Sequence, residues 1–169
     1  LLDKAQTLLM MPDLLFYHLT GNTSTEKTIA STTQLINCTT RGWDECLISE
    51  LGLPRRIFTD LVSHGYSCPL SADLAGRLLL ERLPVIKVAS HDTASAVISV
   101  PAREKDFAYI SSGTWSVIGT ELTAPIIDLS RTDWSNEAGQ DGTVRYCKSL
   151  TGMWILEEYR RQLPSLKGL

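Results

Sequence analysis

Apolar residues open the chain at helical spacings. Leu8, Leu9, Met11, Leu14, Leu15 and Leu19 predict a helix over residues 5–19. Pro12 sits inside that pattern and sets a kink or boundary near Met11, where proline is suited to a first helical turn. Gly21 is well placed to end the helix in a left-handed conformation. A Ser/Thr-rich stretch from Thr28 to Asn37 follows, with Ala30-Ser31-Thr32-Thr33-Gln34 at its centre, then a turn cluster, Thr39-Thr40-Arg41-Gly42. The next helix is expected from Asp44 to Leu51, ended by Gly52 and Pro54, with a further short helical turn between Arg55 and Val62 before Gly65. Ser71-Ala72-Asp73 can cap a helix that runs through Leu74, Leu78 and Leu79 and stops before Pro84.

The period then changes. Val85-Ile86-Lys87-Val88-Ala89 reads as a strand, followed at once by Ser90-His91-Asp92-Thr93 and an Ala/Val-rich helix from Ala94 to Val100 that Pro101 closes. Beyond a charged link, Arg103-Glu104-Lys105-Asp106, the pattern is extended: Phe107 to Ile110, a turn at Ser112-Gly113, then Trp115 to Leu122. A third strand is expected around Thr143 to Tyr146, and a helix from about Leu150 to Leu163 with Trp154, Leu156 and Tyr159 among its apolar positions. There is no fixed-length repeat and no low-complexity tract, so solenoids and propellers lack support. The class is mixed α and β, with the best domain boundary in the link near residues 101–105.

Composition narrows the functional classes. Of 169 residues, 43% are hydrophobic and 21% charged, the balance of a globular chain rather than a disordered one. The net charge of -3 gives no attraction to phosphodiester backbones or anionic lipid, so neither nucleic acid nor a membrane surface is an expected partner. Arg160, Arg161 and Lys167 read as decoration of a solvated helix face. No apolar run approaches the ~20 residues of a membrane-spanning helix. Cys38, Cys46, Cys68 and Cys147 form no Cys-x-x-Cys pair and have no histidines at zinc spacing, so no metal site is expected and a reducing, cytoplasmic setting fits. The sequons at Asn22 and Asn37 then read as chance, since no leader segment begins the sequence.

Two places can carry chemistry. His91 and Asp92 lie between a strand end and a helix start, the usual location of sites in α/β folds. Position alone also allows Asp92 to be no more than a helix cap. Ser111-Ser112-Gly113-Thr114 joins two strands, with a glycine that permits close backbone approach and with hydroxyls and amides suited to phosphate oxygens. An ordinary hairpin turn would look the same. The Gly-x-x-x-x-Gly-Lys phosphate loop and the Gly-x-Ser-x-Gly nucleophile elbow are both absent, and His18 and His64 have no ligand partners nearby.

Four runs together carry a family resemblance: Leu9-Met10-Met11-Pro12-Asp13-Leu14-Leu15, Ala30-Ser31-Thr32-Thr33-Gln34-Leu35, Ser90-His91-Asp92-Thr93-Ala94-Ser95-Ala96-Val97 and Ser111-Ser112-Gly113-Thr114-Trp115-Ser116. In identity, order and spacing they resemble the FGGY family of carbohydrate kinases, in particular the branch that acts on L-rhamnulose. The resemblance implies an actin-like, ribonuclease H-like α/β fold of two domains closing over a cleft. Residues 1–102 would be the end of the first, sugar-binding domain, and 103–169 the opening three strands and helix of the second, nucleotide-binding one.

It further implies ATP as phosphoryl donor with Mg2+, Asp92 as the base that takes the sugar hydroxyl's proton, His91 as a sugar contact, and Ser112, Gly113 and Thr114 as the second domain's grip on the nucleotide phosphates. The Ala30–Gln34 run is expected to serve helix packing rather than contact with substrate. The family's early phosphate loop would lie before Leu1 and its adenine-binding glycine segment beyond Leu169. At Asn136-Glu137-Ala138-Gly139, relatives commonly carry a second glycine in place of Ala138. The expected reaction makes L-rhamnulose 1-phosphate. The alternatives are a related kinase for another sugar such as L-fuculose, or a non-catalytic protein that binds sugar or a partner on the same fold. Unpaired sheet edges in such a chain would favour self-association.

Overall fold

The computed structural model describes residues 2–104 and 106–163; Lys105 of the charged link and Lys167 of the basic cluster lie outside the described residues. The chain divides into two compact units, Leu1–Ser95 and Ala96–Leu169.

In the first unit, helix α1 spans Met11–Thr20, shorter than the helix expected from residue 5. Pro12 has no N–H to return to residue 8, and its ring would collide with that carbonyl, so the helix can only start there. Leu8 instead donates its amide to the Ile57 carbonyl at 2.7 Å and bridges Phe58 in parallel. Gly21 ends α1 as expected, with φ +80° and its N–H on the Tyr17 carbonyl. Strand β1, Thr25–Glu26, pairs in parallel with β2, Leu61–Val62. The expected helical turn before β2 is a single 3-10 turn, Arg55–Ile57, and the rest of that segment is extended.

Helix α2, Lys27–Ser31, is followed by α3, Glu45–Glu50, whose start is capped by the Asp44 carboxylate accepting from Leu47 N–H at 3.0 Å. The core here is Ala30, Trp43, Ile48, Ile57 and Phe58, with Trp43 meeting Phe58 edge-on at 4.9 Å. A short strand the pattern did not reveal, β3 at Ser67–Pro69, pairs antiparallel with β4, Pro84–Ile86; Ser71 caps α4, Ala72–Leu78, between them. β4 stops short of the expected Ala89. Its last backbone bonds join Lys87 to Tyr66 and Gly65, and the segment it pairs with is in a turn at Gly65, with φ +83°. Helix α5, Asp92–Ile98, follows.

The second unit is a four-stranded antiparallel sheet of β5 (Ala108–Ser112), β6 (Trp115–Leu122), β7 (Ser135–Ala138) and β8 (Val144–Thr151) in the spatial order β5-β6-β8-β7, with helix α6, Trp154–Gln162, after it. The strand expected at 143–146 is thus the fourth of this sheet and twice as long. β7 escaped notice because Ser135-Asn136-Glu137-Ala138 is a half-buried edge without alternation. Val97, Tyr109 and Cys147 form the core, and burial pushes the Tyr109 phenol and the Cys147 thiol above their ordinary values. β6 passes Tyr109 only because position 119 is glycine: a Cβ there would lie 2.7 Å from the phenolic oxygen. Arg145, fully buried, is paired with Glu137.

Candidate functional site

Asp92 is the first residue of α5, and its side chain is 97% exposed. Oδ1 accepts from the amide of the next residue, Thr93, at 2.7 Å, short of the amides two and three residues on that a capping aspartate reaches, and the carboxylate faces solvent. His91 stands beside it with Nε2 3.5 Å from Oδ1, and the His91 carbonyl accepts the Ser95 amide to begin the helix. The two residues expected to act on sugar are therefore adjacent at the mouth of one short helix.

What fixes this segment is a carboxylate the sequence reading passed over. Glu26, fully buried, accepts through Oε1 from Thr28 N–H at 3.0 Å, and through Oε2 from Thr28 Oγ1 at 2.5 Å, Ile29 N–H at 3.3 Å and Ser90 N–H at 3.0 Å. Thr28 Oγ1 in turn accepts from His91 N–H at 3.2 Å. The backbone immediately before Asp92 is thus tied to the start of α2 through two successive amides.

A second buried pair stands next to the first. Lys87 Nζ lies 2.5 Å from Asp13 Oδ1, donates to the Ser24 carbonyl at 2.6 Å and sits 4.6 Å over the Phe16 ring. Asp13 Oδ1 also accepts from Glu26 N–H at 3.1 Å, which joins the two groups into one network across α1, β1 and the segment after β4. Burial raises the Asp13 carboxyl above its ordinary range, opposed by the hydrogen bond and charge of Lys87. One sequence signal pointed here: a lysine inside the apolar run Val85–Ala89 must find a buried partner. The hydroxyls of the Ala30–Gln34 run are spent on their own helix, Ser31, Thr32 and Thr33 donating to the carbonyls of Thr28, Ile29 and Ala30. The packing role expected of them agrees with that geometry.

In the second unit, Ser112 ends β5, and Gly113 and Thr114 form the turn into β6, with both hydroxyl-bearing residues exposed. Gly113 does not take a left-handed conformation; its missing side chain matters because a Cβ would lie 3.2 Å from the Trp115 carbonyl oxygen. The turn's carbonyls are taken: Gly113 O accepts from Met153 N–H at 2.8 Å, and Thr114 O from Gly152 N–H at 3.2 Å and Trp154 N–H at 3.3 Å. Gly152 is the residue missed here. A Cβ on it would lie 2.4 Å from Ser116 Oγ and 2.5 Å from Gly113 O, so α6 can begin against this turn only with glycine at that position. With these carbonyls occupied, what the turn leaves exposed are the hydroxyl-bearing residues Ser112 and Thr114.

Among the described residues no group of three His, Cys, Asp or Glu side chains forms a metal cluster, and no helix is long and apolar enough to cross a membrane.

Comparison with known proteins gives the family and the fold. The model of the FGGY family of carbohydrate kinases, N-terminal domain, matches residues 1–99, and the chain belongs to that family. Within it, the chain is 43% identical over 162 residues to a rhamnulokinase of Bacteroides thetaiotaomicron, an alignment covering 94% of this chain and 33% of that protein. It is 44% identical over 158 residues to the rhamnulokinase of Pectobacterium atrosepticum, covering 92% and 31%. The chain spans about a third of the length of the curated relatives it matches. Among solved structures, a ligand-bound xylulose kinase from Lactobacillus acidophilus superposes with a TM-score of 0.81 at 22% identity, over 95% of this chain and 33% of that one. That likeness shows the fold, the actin-like, ribonuclease H-like α/β architecture expected from the sequence.

Proposed function

We propose that the chain is part of an ATP-dependent sugar kinase that transfers the γ-phosphoryl group of MgATP to a hydroxyl of L-rhamnulose, giving L-rhamnulose 1-phosphate and ADP. The observation that carries this reading is the solvent-facing Asp92 carboxylate beside His91, held at the start of α5 by a buried network. A sugar hydroxyl is a weak nucleophile near neutral pH. Asp92 accepts its proton as the oxygen forms a bond to the γ-phosphorus and the bond to the ADP oxygen breaks. His91 hydrogen-bonds the sugar and orients that hydroxyl. Ser112, Gly113 and Thr114 hold the nucleotide phosphates, and Mg2+ arrives with them, neutralising charge on the transferring group. The choice of L-rhamnulose rests on the names of the relatives at 43% and 44% identity.

In this reading residues 1–102 are the end of the sugar-binding domain and 103–169 the opening of the nucleotide-binding one. The enzyme works in the cytoplasm, where ATP is supplied and its four free cysteines stay reduced. The solvent-facing Ile110 on edge strand β5 and the exposed Trp154, Ile155 and Tyr159 of α6 favour self-association of the chain.

The test is an ADP-release assay on the full-length protein with MgATP and L-rhamnulose, L-fuculose in a parallel arm, beside Asp92→Asn. Loss of about 10²- to 10⁴-fold in the variant, the usual worth of a positioned base, supports the reading. Undiminished turnover in the variant removes Asp92 from the role, and turnover with L-fuculose alone replaces the substrate.

A further inference from the structure

Asp92 is almost wholly exposed and lies on a helix of seven residues, too short to hold its own first turn in place. Its position must therefore be imposed from outside α5. Four donors converge on the Glu26 carboxylate, which suits an acceptor-only group. Three of them belong to the start of α2. The fourth is Ser90 N–H, two residues before Asp92 and 64 positions along the chain from Glu26. Thr28, oriented by its own bond to Glu26, receives the next amide, that of His91. Glu26 is itself held from behind, because its N–H donates to Asp13 in the buried pair with Lys87.

A helix cap needs only the bonds to Thr28 and Ile29. The bond to Ser90 adds nothing to α2, and it places the catalytic segment. We propose that Glu26 is a positioning residue for the transfer reaction: through Ser90 N–H, and through Thr28 to His91 N–H, it sets where the Asp92 carboxylate and the His91 ring stand. This rests on the reading of Asp92 as base and His91 as sugar contact. Glu26 touches neither substrate. Its removal shifts the groups that do, and a displacement of ~1 Å at a reacting group is worth about a hundredfold in rate.

The experiment uses the full-length protein and Glu26→Gln, which keeps the volume but turns one acceptor oxygen into a donor facing donors. Glu26→Asp, which keeps both oxygens, is its conservative partner. Each is made alone and on Asp92→Asn. Expected are a fall in kcat of about tenfold to a hundredfold, a raised KM for sugar, an unmoved KM for ATP, and partial recovery in Glu26→Asp. Hydrogen exchange should show lost protection at Ser90 and His91. On the Asp92→Asn background the same change should cost little more in kcat, because the base it positions is gone, while the raised KM for sugar, which reads the position of His91, should remain. Equal losses of kcat on both backgrounds, or a KM for ATP that rises with the KM for sugar, would mark Glu26 as merely structural and overturn the proposal. Lost protection at Ser90 with kcat intact would overturn it too, while leaving Asp92 as base. Full turnover in Asp92→Asn alone refutes the base reading and, with it, the positioning role.

Discussion

The sharpest energetic consequence of this structure concerns Lys87. Its ammonium and the Asp13 carboxylate are 2% and 1% exposed and 2.5 Å apart, with further contacts to the Ser24 carbonyl and the Phe16 ring. Lys87→Met keeps the aliphatic stem against Phe16 and deletes the charge. What remains is an Asp13 carboxylate buried with no cation, and breaking a buried pair in this way costs about 3–5 kcal/mol. At 1.36 kcal/mol per factor of ten, that is between about two and four orders of magnitude in the opening equilibrium. Native-state hydrogen exchange on the full-length protein reads it locally, as lost protection in α1 and in the backbone around β4. Adding Asp13→Asn should recover the larger part, because asparagine keeps an acceptor for Glu26 N–H and carries no charge.

The pH dependence has a definite sign. Burial raises the folded pKa of Asp13 above its ordinary 3.8, so the folded state binds this proton more readily than the unfolded one. Asp13 therefore weighs against the fold at neutral pH, and that penalty is relieved as pH falls through the raised value. Without Lys87, two of the three effects that hold the pKa down are gone, leaving only the Glu26 N–H bond, and it climbs further. The deficit of Lys87→Met should then shrink steadily as pH is lowered from 7, once intrinsic exchange rates are corrected. Protection within about fivefold of the parent at pH 7, roughly 1 kcal/mol, would put the pair on a level with a surface ion pair and refute the reasoning.

Two further outcomes are expected. Gly152→Ala drives a Cβ into Ser116 Oγ and the Gly113 carbonyl, at 2.4 and 2.5 Å, and should destabilise the second unit by about 1–3 kcal/mol; steady-state kinetics should show a raised KM for ATP with the KM for sugar unchanged, and an equal rise in both would count against the turn as a phosphate grip. The chain described here should sediment faster as its concentration rises, and Ile110→Lys on the β5 edge should weaken that trend; a sedimentation coefficient independent of concentration removes the self-association reading.

The sequence revealed elements wherever local chemistry decides them. Gly21, Asp44 and Ser71 mark helix ends because their conformations and side chains act within one turn. The hairpin around Gly113 was legible for the same reason. What could not be read depends on partners distant in the chain. β1, β2 and β3 are two or three residues each, and such pieces become strands only when residues such as Thr25 and Leu61, or Cys68 and Val85, are brought side by side; β4 was legible in Val85–Ala89, but not where it ends. The site divides in the same manner. His91 and Asp92 announced themselves by their place between strand and helix. Glu26 and Asp13 did not, since nothing in Thr25-Glu26-Lys27 distinguishes a surface glutamate from one that receives an amide 64 positions away.

That division follows from what the phosphoryl-transfer site proposed above must do. On that reading Asp92 takes the proton and has to be reachable by substrate, so it cannot be secured by burying its own side chain, which stands exposed. It can be secured only through its backbone, and a seven-residue helix has no surplus stability with which to do so. Anchoring through the amides of Ser90 and His91 resolves the conflict, because these bonds fix the chain through its backbone and not through either side chain. The anchor must then be an acceptor strong enough to hold several amides at once and rigid enough not to follow them. A carboxylate meets the first need. Its complete burial, with Asp13 and Lys87 behind it, meets the second.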